Sequence, residues 1–258
     1  MRPTPVSLTD TTGGWRWHLR ALLASRRWQP TCAAIAQWLD DQPCSGDSLL
    51  LIGPSAGWMM HTPWLSRFRR IDAFDLDPSA ERLFRMRHGW QLQRAGVTLN
   101  FHRRDAFDGL DRILAEYPKA TLFFDNVLGQ QIYRFRDDLP ALERRLNTLS
   151  RQLAGRHWGS IHDWMSGPAR ANDPHSVVPR HLSDITVMQS GYRLGERTLS
   201  TERCAQELMS PLSAHGEWQD HLSSGIFPAG TSIRLIPWAF LPGHWHWLQA
   251  GWVRGYGD

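Results

Sequence analysis

The sequence predicts an α/β fold: a doubly wound, mostly parallel sheet closed by a C-terminal antiparallel hairpin. Three observations predict it. Short apolar runs at 48–52, 71–76, 97–101, 121–124 and 157–161 alternate with amphipathic stretches of helical period. The first run breaks directly into Gly53-Pro54-Ser55-Ala56-Gly57, a tight strand-to-helix turn. Near the end, 231–240 and 244–253 are strand-like runs around Leu241-Pro242-Gly243, a turn signal.

In chain order, 14–41 reads as helix, with Trp17, Leu19–Leu23, Ile35, Trp38 and Leu39 on its apolar faces and a break expected at Gln29-Pro30. Residues 42–47 form a connector. A helix is expected over 58–68, with Pro63 disturbing its first turn. Asp77-Pro78 after the second strand places an N-cap residue before a proline at the first helical position, and opens a helix over 78–88. Leu142, Leu146, Leu149 and Leu153 repeat at helical spacing within 137–154, and Gly155 ends that helix. The stretch 166–190 is rich in Pro, Asp and Ser and reads as loop, and 201–209 as helix. The expected organisation is a helical cap over 1–47 and one α/β domain over 48–258, with a loop-rich insertion at about 165–230.

Composition narrows the function classes. The 258 residues are 41% hydrophobic and 21% charged, an ordinary soluble balance. No apolar run approaches the roughly 18–20 residues of a membrane span, so no membrane partner is expected. Residues 1–10 hold one Arg and no apolar core, so they are not a secretory signal, and the cytoplasm is the expected compartment. Cys32, Cys44 and Cys204 lack metal-ligand spacing and do not form a disulfide framework, so no metal is expected. The net charge of +4 is nearly all arginine, since only Lys119 is lysine, and it is spread among Asp and Glu. That pattern does not favour nucleic acid.

In an open α/β sheet, ligands sit beyond the C-terminal ends of the strands, at the switch in strand order. This selects 53–57, Asp75 and Asp77, Asp105, Asp125-Asn126, and His162-Asp163-Trp164. Glycine lets backbone approach a ligand. An acid after the second strand can accept ribose hydroxyls. Asp105 can accept from an adenine amino group, with Phe107 beside the ring. His162 titrates near neutrality and is the first candidate base, with Asp163 and Asp125 beside it. Trp58 and Trp164 are candidates to line an aromatic acceptor pocket.

Taken together, these pieces resemble the class I S-adenosyl-L-methionine (SAM)-dependent methyltransferases, which have a Rossmann-like fold. Residues 49–57 (LLLIGPSAG) resemble the first motif of that family, Asp72–Pro78 the second, Arg104-Asp105-Ala106-Phe107 the adenine segment, and Leu122–Val127 the fourth-strand motif. The terminal hairpin resembles the extra antiparallel pair of those enzymes. Leu51 stands where the family usually carries an acid, and Ser55 where it carries a glycine. The resemblance implies SAM as cofactor, held by Gly53, Ser55, Gly57, Asp75, Asp105, Asp125 and Asn126. It implies methyl transfer; Trp58 and Trp164 point to a small, aromatic or planar acceptor, and the strand-end positions put forward His162, Asp163 and Asp125 as the catalytic set. A non-catalytic SAM- or nucleotide-binding accessory protein and an RNA-modifying methyltransferase stay open as alternatives.

Overall fold

A computed structural model describes residues 14–44, 46–135 and 138–255. The first element is a helix, α1 (Gly14–Asp40). Then come β1 (Ser48–Ile52), α2 (Thr62–Leu65), β2 (Arg70–Asp75), α3 (Ala80–Phe84), a π-helical turn (Arg85–Gly89), α4 (Trp90–Arg94) and β3 (Thr98–Arg103). These are followed by α5 (Leu110–Glu116), β4 (Thr121–Asp125), α6 (Gln131–Arg134), α7 (Leu139–Leu153) and β5 (Trp158–Pro168). The C-terminal part holds α8 (Pro174–Arg180), β6 (Ser183–Val187), β7 (Tyr192–Leu194), β8 (Arg197–Leu199), α9 (Thr201–Met209), β9 (Gln219–Asp220), β10 (Ser232–Leu241) and β11 (His244–Val253).

All these strands join one sheet in the order β3-β2-β1-β4-β5-β11-β10-β6-β7-β8, with β9 on β5. The first five are parallel. β11 runs antiparallel between β5 and β10. The expected α/β class, largely parallel centre and terminal hairpin are therefore all present. β1 and β4 are the innermost parallel strands. Leu49, Leu50, Leu51, Leu122, Phe123 and Phe124 are sealed from solvent on both faces, which is why these strands read as unbroken apolar runs.

Four local expectations differ. The helix α1 runs straight through Pro30. Its buried face, Ala21, Ala24, Trp28, Thr31, Ile35 and Trp38, packs on β10, and that packing outweighs the one backbone bond a proline removes. The helix expected over 58–68 shrinks to α2, because residues 58–61 continue the glycine turn and Pro63 starts the helix. The helix expected over 78–88 continues to Arg94 through the π turn. The 165–230 region, expected to be loop-rich, holds α8, β6–β8, α9 and β9, which extend the antiparallel side of the sheet beyond a hairpin. No helix among the described residues is long and apolar enough to cross a membrane.

Candidate functional site

The strand order reverses between β1 and β4, and an open α/β sheet takes its ligand at such a switch point, here at the turn after β1 and the tips of β2 and β4. Gly53 (φ +68°), Ser55 (φ +52°) and Gly57 (φ +66°) bend the chain through the left-handed region. The two glycines make room for protein. A Cβ on Gly53 would stand 1.9 Å from Val127 Cγ1, and one on Gly57 2.5 Å from His88 Nε2. The π turn aims His88 at this loop: its Nε2 donates to Gly57 O (3.0 Å), and its Nδ1 accepts from Thr62 Oγ1 (2.7 Å). Burial pushes the His88 imidazole down to about 4, so it stays neutral.

Asp75 lies at the tip of β2, half-buried. It accepts the backbone N–H of Ser55 (2.7 Å) on one oxygen and that of Asp77 (2.8 Å) on the other. Its carboxyl therefore faces the glycine turn, as a ribose ligand would require. Burial raises its pKa to about 6, against the lowering by those two N–H groups. Across β1, Asp125 at the tip of β4 is buried, and its pKa is raised well above the ordinary carboxylate range, first by burial and then by the charge on Asp75. Two acids thus flank the switch point, and both are harder to ionise than a solvated carboxyl.

The start of α1 packs against this turn. Trp17 Nε1 donates to Ser55 Oγ (3.1 Å). Asp77 accepts the Gly14 N–H (2.7 Å) and meets His18 Nε2 (2.9 Å), and its other oxygen holds the Ser79 N–H and hydroxyl. Trp58 Nε1 donates to His18 Nδ1 (3.1 Å), and the Arg87 guanidinium lies over the Trp58 ring at 4.2 Å. Trp58 is therefore held beside the start of α1 through a hydrogen-bonded edge.

The other sequence-selected residues fall differently. Asp105 caps its own turn through Phe107 N and pairs with Arg134. Like Asp75, it uses both oxygens within the protein, but one of them on a cationic side chain. Asn126 (φ +57°) spends both ends of its amide on Asp163: Nδ2 donates to Asp163 Oδ2 (3.1 Å), and Oδ1 accepts Asp163 N (2.9 Å). His162, expected to open to the cleft, has no exposed surface. It shares a strand face with Trp158, and both rings stack on Phe227. Burial lowers its pKa to about 4. Trp164 is sealed as well, against Tyr192 at 5.5 Å between ring centroids, so it lines no acceptor pocket. The reason is the same for both: β11 lies beside β5, and the 192 and 226–227 segments cover that face.

Asp163 points the other way, into a buried polar group assembled from distant parts of the chain. His246 Nδ1 meets Asp163 Oδ1 at 2.7 Å. His221 lies beside them, and one ligand atom of each residue is within 4.8 Å of the others. Burial alone would raise the Asp163 pKa, but His246, His221 and Asn126 outweigh it and hold the carboxylate at about 2. His221 and His246 are far apart in sequence from Asp163. The one available signal was His244-Trp245-His246, two histidines on one face of a strand.

A cleft of about 1340 Å³ lies at the opposite end of the sheet, where β5 and β10 begin and β11 ends. Its walls include Trp158, Tyr192, Phe227, Arg234 and Trp252.

No family model matches this sequence, and no curated protein does. Solved structures do. The Haloferax volcanii protein solved in complex with the Trm112 methyltransferase activator aligns over 61% of this chain and 62% of its own, at 15% identity and a TM-score of 0.39. The chain thus spans less than two thirds of that protein. A structure solved for the conversion of a disulfide bond into a thioacetal group during echinomycin biosynthesis aligns over 87% of this chain and 82% of its own (15% identity, TM-score 0.42). Magnesium protoporphyrin IX methyltransferase from Synechocystis PCC 6803 with bound SAM aligns over 86% and 78% (12% identity, TM-score 0.39). From its own strand order, five parallel strands reversing at β1/β4 and an antiparallel β11 between β5 and β10, the chain has the Rossmann-like fold that resemblance to the class I methyltransferases implies.

Proposed function

We propose that this chain is a divergent SAM-dependent methyltransferase whose acceptor is a small, planar or aromatic molecule. The observation that carries the reading is the pair of acids at the switch point. Asp75 and Asp125 flank the Gly53 turn with raised pKa values; Asp75 receives two backbone N–H groups, and Asp125 has no cationic side-chain partner among the described residues. A buried acid of this kind is stabilised by a positive ligand. SAM carries a sulfonium and a ribose, and the chain offers Asp125 to the first and Asp75 to the second. Leu51 is sealed in the core and offers nothing to the amino-acid end of the cofactor.

SAM supplies an already activated methyl group. The chain's part is to hold the ribose at Asp75, exclude water with Trp17 and Trp58, and orient the acceptor beyond β4. The buried placement of His162 and Trp164 favours a second reading, a cofactor-binding protein without transfer activity.

Isothermal titration of the full chain with SAM tests both. One site is expected, weakened at least ~10-fold, or about 1.4 kcal/mol, in Asp75→Asn. No binding of SAM at millimolar concentration would refute the assignment. Binding without methyl transfer to any pool of small molecules would leave the second reading standing, and strongly salt-dependent RNA binding would replace the small-molecule acceptor by RNA.

A further inference from the structure

We propose that Asp163, His221 and His246 form a binding site for one divalent transition-metal ion, with Zn²⁺ as the expected occupant. All three side chains are buried, and they come from three different strands or strand ends: β5, the segment after β9, and β11. Two imidazoles and a carboxylate are a nitrogen-and-oxygen set suited to such an ion.

The second layer of contacts is already built. His221 Nδ1 donates to Gly129 O (3.0 Å), which fixes its tautomer and leaves Nε2 with a lone pair; Ser166 Oγ now donates to it (2.9 Å). A ligating histidine commonly has its other ring N–H held by a carbonyl in this way. Gly129 can approach only because it lacks a side chain: a Cβ there would stand 2.5 Å from Asp163 O. Asn126 holds the second oxygen of Asp163 and its backbone N–H.

The backbone bends to bring these groups together. Consecutive β11 residues Trp247 and Leu248 pair with Met165 and Asp163, so Trp164 is an extra residue in β5. Such a bulge re-aims side chains. Asn126 (φ +57°) and Leu222 (φ +53°), next to His221, are two of the four non-glycine residues in the left-handed region among those described.

The spacing suits an ion. Two ligand atoms each about 2.1 Å from a metal lie roughly 3.0–3.4 Å apart at octahedral or tetrahedral angles, close to the 2.7 Å now separating Asp163 Oδ1 from His246 Nδ1. Asp163 also has no Lys or Arg partner among the described residues, so a cation at this point would offset a buried negative charge. Three protein ligands leave a coordination position for Ser166 Oγ or for an anionic oxygen or sulfur of a bound molecule. Asn126 directly follows Asp125, so the ion would lie near the tip of β4.

The test needs no SAM, so its outcome is separate from that of the cofactor assignment. The full chain, stripped with a chelator, is titrated with Zn²⁺ by calorimetry. One ion per chain is expected, with affinity lowered at least ~100-fold in His221→Gln, beyond the effect of losing a supporting contact, and unchanged in His244→Gln. No stoichiometric binding, or binding indifferent to His221→Gln, overturns the proposal. If His221→Gln does not fold, the wild-type chain loaded with Co²⁺ decides: X-ray absorption showing two imidazole ligands supports the site, and a shell of water oxygens alone overturns it.

Discussion

Substituting Gly53 by alanine distinguishes a glycine that makes room for protein from one that makes room only for a ligand. At φ +68° the new Cβ brings a left-handed penalty of about 1–2 kcal/mol. It also lands 1.9 Å from Val127 Cγ1, so a neighbour must move, at a further cost of about 1–3 kcal/mol. The expected loss is therefore about 2–5 kcal/mol. Val127→Ala alone, trimming a half-buried side chain, costs about 1 kcal/mol. In the double variant the nearest remaining Val127 atom is Cβ, 3.2 Å away, which needs only a small adjustment. The double variant should recover the overpacking part, a coupling of about 1–3 kcal/mol, while the left-handed part persists. Urea unfolding followed by tryptophan emission measures this as a shift in midpoint at constant slope. Additive losses would refute the reasoning, because Gly53 would then be needed for backbone strain or a ligand and not for Val127.

Two further predictions concern stability. His88 is buried and neutral with a pKa of about 4, against about 6.5 in an unfolded chain, so its contribution is full above pH 6.5 and is lost as pH falls toward 4. Relative to His88→Gln, the wild type should lose up to ~3 kcal/mol over that window, read from unfolding midpoints at several pH values; a constant difference would contradict a buried neutral imidazole. Asp75 acts with the opposite sign between about pH 4 and 6, which is why the comparison is made within one pair of proteins. Thr31→Val removes the hydroxyl that donates to Pro237 O at 2.9 Å and should cost about 1–2 kcal/mol; an unchanged melting temperature would show that this bond does not help seat α1 on β10.

The parallel half of the sheet was legible because its strands carry their own signature. β1 and β4 are buried on both faces, so each is a solid apolar run, and Gly53 and Asp77 punctuate the turns that follow β1 and β2. The hairpin of β10 and β11 announced itself through Pro242-Gly243. β7 and β8 did not: three-residue strands acquire their conformation from the edge they pair with. α5 was overlooked although Leu110, Ile113 and Leu114 have helical spacing, because only seven residues carry the pattern. In the site, the positions of Asp75 and Asp125 followed from strand ends alone. The sealing of His162 did not, because Phe227, which covers it, lies more than sixty residues later. The partners of Asp163 were hidden for the same reason: a bulge in β5 and a pairing with β11 decide which way it points, and neither leaves a mark in the local sequence.

The seating of α1 has a consequence for the order in which the protein is made. Arg27, Trp28 and Thr31 bond to carbonyls of residues 237, 239 and 240, more than 200 positions later. A ribosome delivers the helix long before the strand it rests on. Its tryptophan- and isoleucine-bearing stripe must wait in solution or on a chaperone until synthesis is almost finished, and the final docking step closes a very long loop.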